Sequence, residues 1–313
     1  MDAVRLWRTY CATGDVEALR FLVEYNLYDA FQLVPGIGPW REKDLWARGF
    51  EGWQQVRTEG AAVLGRKLHD TVCAAIDRAE AALDAGDLPA LVRMLPAREH
   101  WRLWPLVAEE ALCLDIEADG VGERQRPTVA GCLDADGLAS FIDGRNLEAL
   151  PERLGRRAVW VTFNGGSVDL PVLRHAFPGL PRPVLHLDLK PLCRRIGLGG
   201  GLKSSEDRLG IARPPHLRGR SGMDAVLLWR AYHATGDVEA LRFLVEYNLY
   251  DAFQLRAVAD HAFNRAAERL HWPDRVEPWD RGVVLYDLSR LLLALEPTAV
   301  DRARAEAVRA AAL

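Results

Sequence analysis

The segment ALCLDIE, residues 111–117, decides how this chain is read. It begins as a continuous apolar run, the mark of a strand buried on both faces. It ends on Asp115 and Glu117, two residues apart. Alternate side chains of a strand share a face, so both carboxylates point the same way. Neighbouring carboxylates repel, and each raises the other's pKa unless a cation neutralises them.

Working outward, PTVAGCL (127–133) is a partner strand, joined through the polar, Gly-containing ADGVGERQR. AVWVTF (158–163) and PVLHLDL (183–189) are two further strands. Helices fit Leu147–Leu154, Leu170–Phe177, Leu202–Leu209 and residues 223–255. Adjacent strands followed by strand–helix alternation predict a mixed α/β fold, a mixed β-sheet flanked by helices. Ahead of it lies a helical N-terminal region. PGIGP (35–39) is a tight turn, WREKDLWARG a short helix ended by Gly49, and 58–84 and 86–94 are further helices. WRLWP (101–105) closes this part, and a helical tail over 256–313 ends in DRARAEAVRAAAL.

The chain has 313 residues, enough for about two domains. Its hydrophobic content of 49% and charged content of 27% exclude wholesale disorder. The net charge of −4 argues against a uniformly basic coat but hides an asymmetry. Residues 190–222 hold eight basic side chains against Glu206 and Asp207, a local balance of +6, which leaves −10 elsewhere. The Gly-rich run GLGGGLK does not match a Walker A loop. This stretch, with Arg194, Arg195 and Lys203, reads either as a solvated face or as a phosphate-contacting surface. The five cysteines are odd in number and include no C-x-x-C pair, so neither a zinc site nor a disulfide framework is expected. No signal peptide is visible, and LLLAL (291–295) is too short to span a bilayer; a reducing cytoplasm is the expected location.

Residues 1–33 and 223–255 are almost the same sequence. They differ only at Arg5/Leu227, Thr9/Ala231 and Cys11/His233, and the match stops at Val34 against Arg256. Solenoid repeats diverge and recur three or more times, so this is no solenoid. The copy reads as a recent partial duplication or an assembly accident. The sharper alternative is that copy one packs where copy two belongs, through domain swapping or self-inhibition.

Two further acids accompany the first pair. Asp169 follows the strand AVWVTF through the loop NGGS, and Asp251 stands four residues after Tyr247 on one helical face. Oxygen-only carboxylate clusters suit Mg²⁺ or Mn²⁺ rather than zinc. Two such ions about 3.5–4 Å apart stabilise the attacking and leaving oxygens in phosphodiester cleavage. Taken singly, Asp115 reads as a turn cap, Asp169 as a helix N-cap, Asp251 as a solvated helical residue and Tyr247 as a packing aromatic. Their order and spacing as a set point to chemistry.

At these residues the sequence resembles a family. LDIE resembles the first motif of the DEDD superfamily of 3′→5′ exonucleases, the DnaQ-like branch of the RNase H-like fold. FNGGSVD (163–169) resembles the second, with Val168 where an aromatic usually lies, and YNLYD (247–251) the third in its Tyr form. WRLWP, TFNGGSVDLPVL, HLDLK, GLKSSEDRLGI, DAVLLWRAY and PGIGPWREKDLW are similar to the YprB-like group of RNase H-like proteins, over roughly residues 34–255.

That resemblance implies a two-metal phosphodiesterase, a 3′→5′ exonuclease acting on the 3′ end of DNA or RNA. Asp115 would bridge two divalent cations, Mg²⁺ or Mn²⁺, with Glu117 and Asp251 completing one site and Asp169 supporting the second, partly through water. Tyr247 would orient the attacking water, and Asn164 would position the loop or the substrate. Asp188, ending the HLDLK strand, reads as structural. The implied organisation is a duplicated segment (1–33), a helical region (34–100), a nuclease domain (108–256) and a tail (257–313). The PGIGP turn resembles a helix-hairpin-helix, in which the N–H groups of Gly36 and Gly38, with Arg41 and Lys43 following, approach phosphates; the plain alternative is an inter-helix turn. Tyr25 and Asp29 repeat the third motif with no second D-x-E strand, so they are expected to be idle. Two other readings stay open: a non-catalytic nucleic-acid-binding module, which would more often have lost one of the acids, and an RNase H-type endonuclease, in which Tyr247 is not expected.

Overall fold

The computed structural model describes residues 31–34, 37–50, 52–270, 275–279 and 282–311. The first copy up to residue 30, with Tyr25 and Asp29, and Gly36 of the glycine turn lie outside the described residues. The chain divides into two units: one runs up to Ala108 and includes Phe263–Val276, the other comprises Glu109–Ala262 and Glu277 onward.

The first unit is helical. It contains α1 (Pro39–Ala47), α2 (Trp53–Glu59), a single turn at Ala61–Leu64, α3 (Arg66–Asp84) and α4 (Leu88–Met94). Pro39 occupies the first turn of α1, where its missing N–H costs nothing. Asp87 caps α4 by accepting from the Ala90 N–H at 2.9 Å. Val72, Ala75, Ile76, Ala79 and Ala82 recur at helical spacing on the buried face of α3. Arg57 of α2 reaches Asp77 and Glu80 of α3 at 2.5 and 2.6 Å. A 3₁₀ stretch, Ala97–Leu103, then delivers Arg102 into a buried network. Arg102 contacts Glu42 of α1 at 2.8 Å and Glu99 at 2.9 Å, while Gln32 Nε2 donates to Glu42 at 2.5 Å.

The second unit is built on a five-stranded sheet of order β3-β2-β1-β4-β5. The strands are β1 (Ala111–Asp119), β2 (Arg126–Asp134), β3 (Gly137–Ile142), β4 (Val159–Thr162) and β5 (Leu185–Asp188). β1 pairs antiparallel with β2, and β2 with β3; β1 and β4, and β4 and β5, run parallel. This is the mixed sheet flanked by helices that the sequence predicts. β3 has no counterpart among the expected strands. GLASFI carries small and polar residues at Ala139 and Ser140, so its apolar run is too short to stand out. The DADG turn before it, where Asp134 accepts from the Asp136 N–H at 2.8 Å, was the available signal.

Two faces of the sheet do different work. Leu112, Leu114 and Ile116 of β1 pack into one core with Ala130 and Cys132 of β2, Trp160 of β4, and Leu150, Leu154, Leu170 and Leu173. Those leucines belong to α5 (Leu150–Gly155) and α6 (Asp169–Ala176). Burying each such side chain contributes roughly 1.5–3 kcal/mol. The intervening residues of β1, Asp115 and Glu117, face the other way. There the backbone of β2 carries Gly131, paired in register with Asp115. A Cβ on Gly131 would lie 2.7 Å from Asn248 Oδ1 and 3.1 Å from Ala252 Cβ. Glycine is what lets the helix bearing Asn248 approach the sheet this closely.

After β5 come α7 (Leu189–Arg195), α8 (Leu202–Leu209), α9 (Gly222–Thr235), α10 (Val238–Arg269), α11 (Gly282–Leu293) and α12 (Ala299–Ala311). The helical stretch expected over 223–255, with Asp251 in a helix over 236–255, is therefore two helices. α9 ends at Gly236, which has φ +71 and lies where a Cβ would meet the Asp301 carbonyl at 2.2 Å. Asp237 then caps α10 by accepting from the Glu239 and Ala240 N–H groups at 3.0 and 3.2 Å. Helical periodicity runs through this joint, so only the left-handed glycine and its Asp mark it. α10 also continues past residue 256 without a break. The tail helix α12 is fastened by buried Asp301, which takes Arg145 at 2.8 Å and the Thr298 N–H and hydroxyl at 2.8 Å each. The described cysteines, Cys73, Cys113, Cys132 and Cys193, are all free, as the spacing predicts. No helix among the described residues is long and apolar enough to cross a membrane.

Candidate active site

Three elements bring the acids together at the C-terminal ends of parallel strands, the usual place for a ligand in such sheets. β1 supplies Asp115 and Glu117 on one face, and α10 supplies Asp251. Carboxylate oxygens of these three lie within 4.8 Å of one another. Asp169 is the first residue of α6, directly after the loop that leaves β4, and its side chain is buried outside that trio. Val168, not Asp169, is the N-cap residue, and no side chain caps α6.

The electrostatics are those of a cluster short of positive charge. Burial raises Asp115 well above the usual carboxylate range, and Asp251, Asp169 and Glu117 push it further. Asn248 opposes this, donating from Nδ2 to Asp115 Oδ2 at 2.9 Å and to the Asp115 carbonyl at 3.1 Å. Burial, then the charge on Asp251, lifts Glu117 to about 8, against the pull of Lys203. Asp169 is lifted to about 7, chiefly by burial, while backbone N–H groups of Asp169 and Ile116 hold it down. Burial raises Asp251 also, with Arg213 and Lys203 opposing. A donor set of carboxylate oxygens alone, each raised chiefly by burial, fits a hard divalent ion.

Tyr247 sits one helical turn before Asp251 and is buried. Its hydroxyl is held by Lys203 Nζ, which also lies 4.3 Å from the ring centroid and donates to the Arg220 carbonyl at 2.7 Å. Burial, with Asp251, Glu117 and Asp115 nearby, pushes the phenol pKa up, so the hydroxyl keeps its proton at neutral pH.

The loop after β4 turns on Asn164, the one described non-glycine residue with positive φ, at +67. Asp188 holds it there. One carboxylate oxygen accepts from the Asn164 N–H at 2.7 Å and from the Lys190 N–H at 3.1 Å, and the other from the Gly166 N–H at 3.2 Å. Asp188 thus caps α7 and fixes the loop that feeds Asp169. Strained backbone of this kind clusters at functional sites.

The basic stretch 190–222 is divided. Arg194 and Arg195 are exposed in the last turn of α7. Lys203 instead points at Tyr247. Arg213, counted in the same +6, is buried; it pairs with Glu206 at 2.7 Å and reaches Asp251 Oδ1 at 2.5 Å. In the helical unit, Gly38 precedes α1 with an ordinary φ of −88, and Arg41 and Lys43 are exposed on that helix.

The sequence reading missed Asn248, Glu206 and Arg213. Asn248 was within reach, since it stands three residues before Asp251 on the same helical face. Glu206 and Arg213 belong to a helix and the loop beyond it, so no spacing rule links them to Asp251.

With that geometry in place, comparison with known families is informative. Residues 112–263 match the family model RNase_H_2, of the RNase_H superfamily. The mixed five-stranded sheet flanked by helices that this stretch forms is RNase H-like in fold. The stretch spans β1 to near the end of α10 and contains all four acids together with Tyr247, Lys203 and Arg213. No curated protein and no solved structure gave a match to the chain. An RNase H-like domain carrying a carboxylate trio points to metal-dependent nuclease chemistry in general.

Proposed function

We propose that this protein is a metal-dependent 3′→5′ exonuclease that hydrolyses phosphodiester bonds of DNA or RNA with two divalent cations, Mg²⁺ or Mn²⁺. The observation that carries this is the trio Asp115, Glu117 and Asp251, with oxygens within 4.8 Å, inside an RNase H-like domain. Asp115, Glu117 and Asp251 would hold one cation, and Asp115 with Asp169 the second. When bound, such ions supply charge stabilisation to the attacking and leaving oxygens of the phosphodiester.

The chain's own residues do the rest. Asn248 fixes the rotamer of Asp115 through its carbonyl and its carboxylate. Asp188 sets the loop from which Asp169 emerges. Tyr247 keeps its hydroxyl protonated beside the acids, where it orients a water for in-line attack. Lys203 holds that hydroxyl in place. Arg194 and Arg195, exposed in the last turn of α7, would contact phosphates of the substrate. The Tyr-form third motif favours exonuclease over RNase H-type endonuclease action, and retention of every acid favours catalysis over a binding-only module.

The decisive experiment uses 5′-labelled oligonucleotides, single- and double-stranded, DNA and RNA, with Mn²⁺ or Mg²⁺. A ladder of stepwise shortened products, abolished by a blocked 3′ end and by Asp115→Ala, is the expected result. Internal cuts that ignore a 3′ block would replace the exonuclease reading with the endonuclease one. Degradation by Asp115→Ala at the wild-type rate would sink the catalytic reading.

A further inference from the structure

Arg213 is the feature that the proposed nuclease chemistry does not use. It is a buried cation placed against a carboxylate that the proposed function gives to a metal. Its guanidinium is held from behind by Glu206, also buried, through Nε to Oε2 at 3.0 Å and Nη2 to Oε1 at 2.7 Å. Nη2 lies 2.5 Å from Asp251 Oδ1. Nη1 and Asp251 Oδ1 are both buried and make no hydrogen bond, so the contact is an ion pair that leaves the carboxylate's lone pairs open to the cluster.

From this geometry we infer that Arg213 is an internal counter-cation that shares Asp251 with the bound metal, and that Glu206 sets how strongly it does so. The inference rests on the metal-site reading above and adds to it a residue pair that tunes affinity and positions Asp251. The physical argument is charge balance. Three carboxylates converge within 4.8 Å with Asp169 nearby, and uncompensated charge withdrawn from water is costly. Arg213 offsets part of that repulsion before a metal arrives and fixes one rotamer of Asp251. The same positive charge also repels an incoming divalent ion. Glu206 moderates this, because a carboxylate bound to the guanidinium draws it away from Asp251 and cancels its charge at a distance. Arg213 is a positioning residue, since it touches neither substrate nor the reacting atoms.

Opposite signs for two substitutions follow. Arg213→Met removes the competing cation and the anchor together, so Mn²⁺ should bind about three- to tenfold tighter while cleavage slows about tenfold or more. Glu206→Gln removes negative charge and frees Arg213 for Asp251, so Mn²⁺ should bind about threefold more weakly. The measurement is Mn²⁺ titration calorimetry on the full chain, with thermal melting with and without Mn²⁺ and cleavage rates alongside. Arg213→Met should melt lower than wild type without metal and show the larger Mn²⁺-dependent rise. A purely structural role would weaken Mn²⁺ binding in both variants, and that result, or unchanged affinity in both, overturns the inference. Should Arg213→Met not fold, Glu206→Gln decides: unchanged or tighter Mn²⁺ binding overturns it. Mn²⁺ binding by wild type that Asp115→Asn abolishes, but that neither the Arg213 nor the Glu206 variant alters, sinks this inference and spares the metal site. No Mn²⁺ binding by wild type overturns both.

Discussion

Each unit of this protein buries a carboxylate network, and the two networks are built on opposite principles. In the helical unit, Glu42 and Glu99 are buried with Arg102 between them, at 2.8 and 2.9 Å. Gln32 and the Trp101 indole add hydrogen bonds to the same carboxylates. In the RNase H-like unit, Asp115, Glu117 and Asp251 crowd within 4.8 Å with Asp169 nearby, and Arg213 is already committed to Glu206. The first network sets one buried cation between two carboxylates. The second is pushed toward protonation, first by burial and then by its neighbouring carboxylates. Charge supplied from within marks a structural cluster, and a deficit marks one that awaits a ligand.

The comparison can be broken at either end. Arg102→Met strips the cation that bridges two buried carboxylates, so it should destabilise the protein by about 3–5 kcal/mol, read from denaturant unfolding of the full chain. Asp115→Asn should do the reverse in metal-free protein, raising stability by roughly 1 kcal/mol, because it relieves repulsion. If both substitutions destabilise alike, the two networks are not different in kind.

Tyr247→Phe probes the second cluster without changing its charge. It should slow cleavage about 10- to 100-fold and leave Mn²⁺ affinity unchanged, whereas Tyr25→Phe in the first copy should alter neither. Equal losses from the two tyrosines would contradict the assignment of the working copy. Gly131→Ala should cost about 1–3 kcal/mol, because the added methyl collides with Asn248 and Ala252, and melting experiments would register it.

The smallest effect is on pH dependence. Glu117 and Asp169 have folded-state values of about 8 and 7, above those of an unfolded chain. The native state therefore binds more protons than the unfolded state between roughly pH 4.5 and 8, and stability falls as pH rises through that window. Metal-free protein should melt progressively lower from pH 5.5 to 8, and saturating Mn²⁺ should flatten the trend, because the ion replaces the protons. A melting temperature that rises with pH over this range would show that the acids are compensated in some other way.

Much of this was readable from residues alone. The apolar run ending in Asp115 and Glu117 fixed one strand and the side its acids face. Four of the five strands and the Leu202–Leu209 helix followed from periodicity. β3 escaped because its face is small and half-polar. The joint at Gly236 rests on a left-handed φ of +71 and on a close approach to the Asp301 carbonyl, neither of which apolar rhythm shows. Asn248, Glu206 and Arg213 escaped because their roles depend on which groups converge from distant elements.

The duplicated sequence draws the same line within one chain. Phe31–Leu33 and Phe253–Leu255 are both Phe-Gln-Leu. The first is a 3₁₀ turn whose Gln32 donates to Glu42, and the second lies inside α10 with Gln254 donating to the Ala212 carbonyl. The phenylalanines and leucines are buried as apolar side chains require, and both glutamines are buried with them on hydrogen bonds. The sequence by itself determined that these residues leave water, that the acids share a strand face, and that the tyrosine and Asp251 share a helical turn, because hydrophobicity and local periodicity are properties of the residues. Only the tertiary structure decided which conformation identical residues adopt, and which carboxylates receive an internal cation, because hydrogen bonds and charge compensation depend on partners far away in the chain.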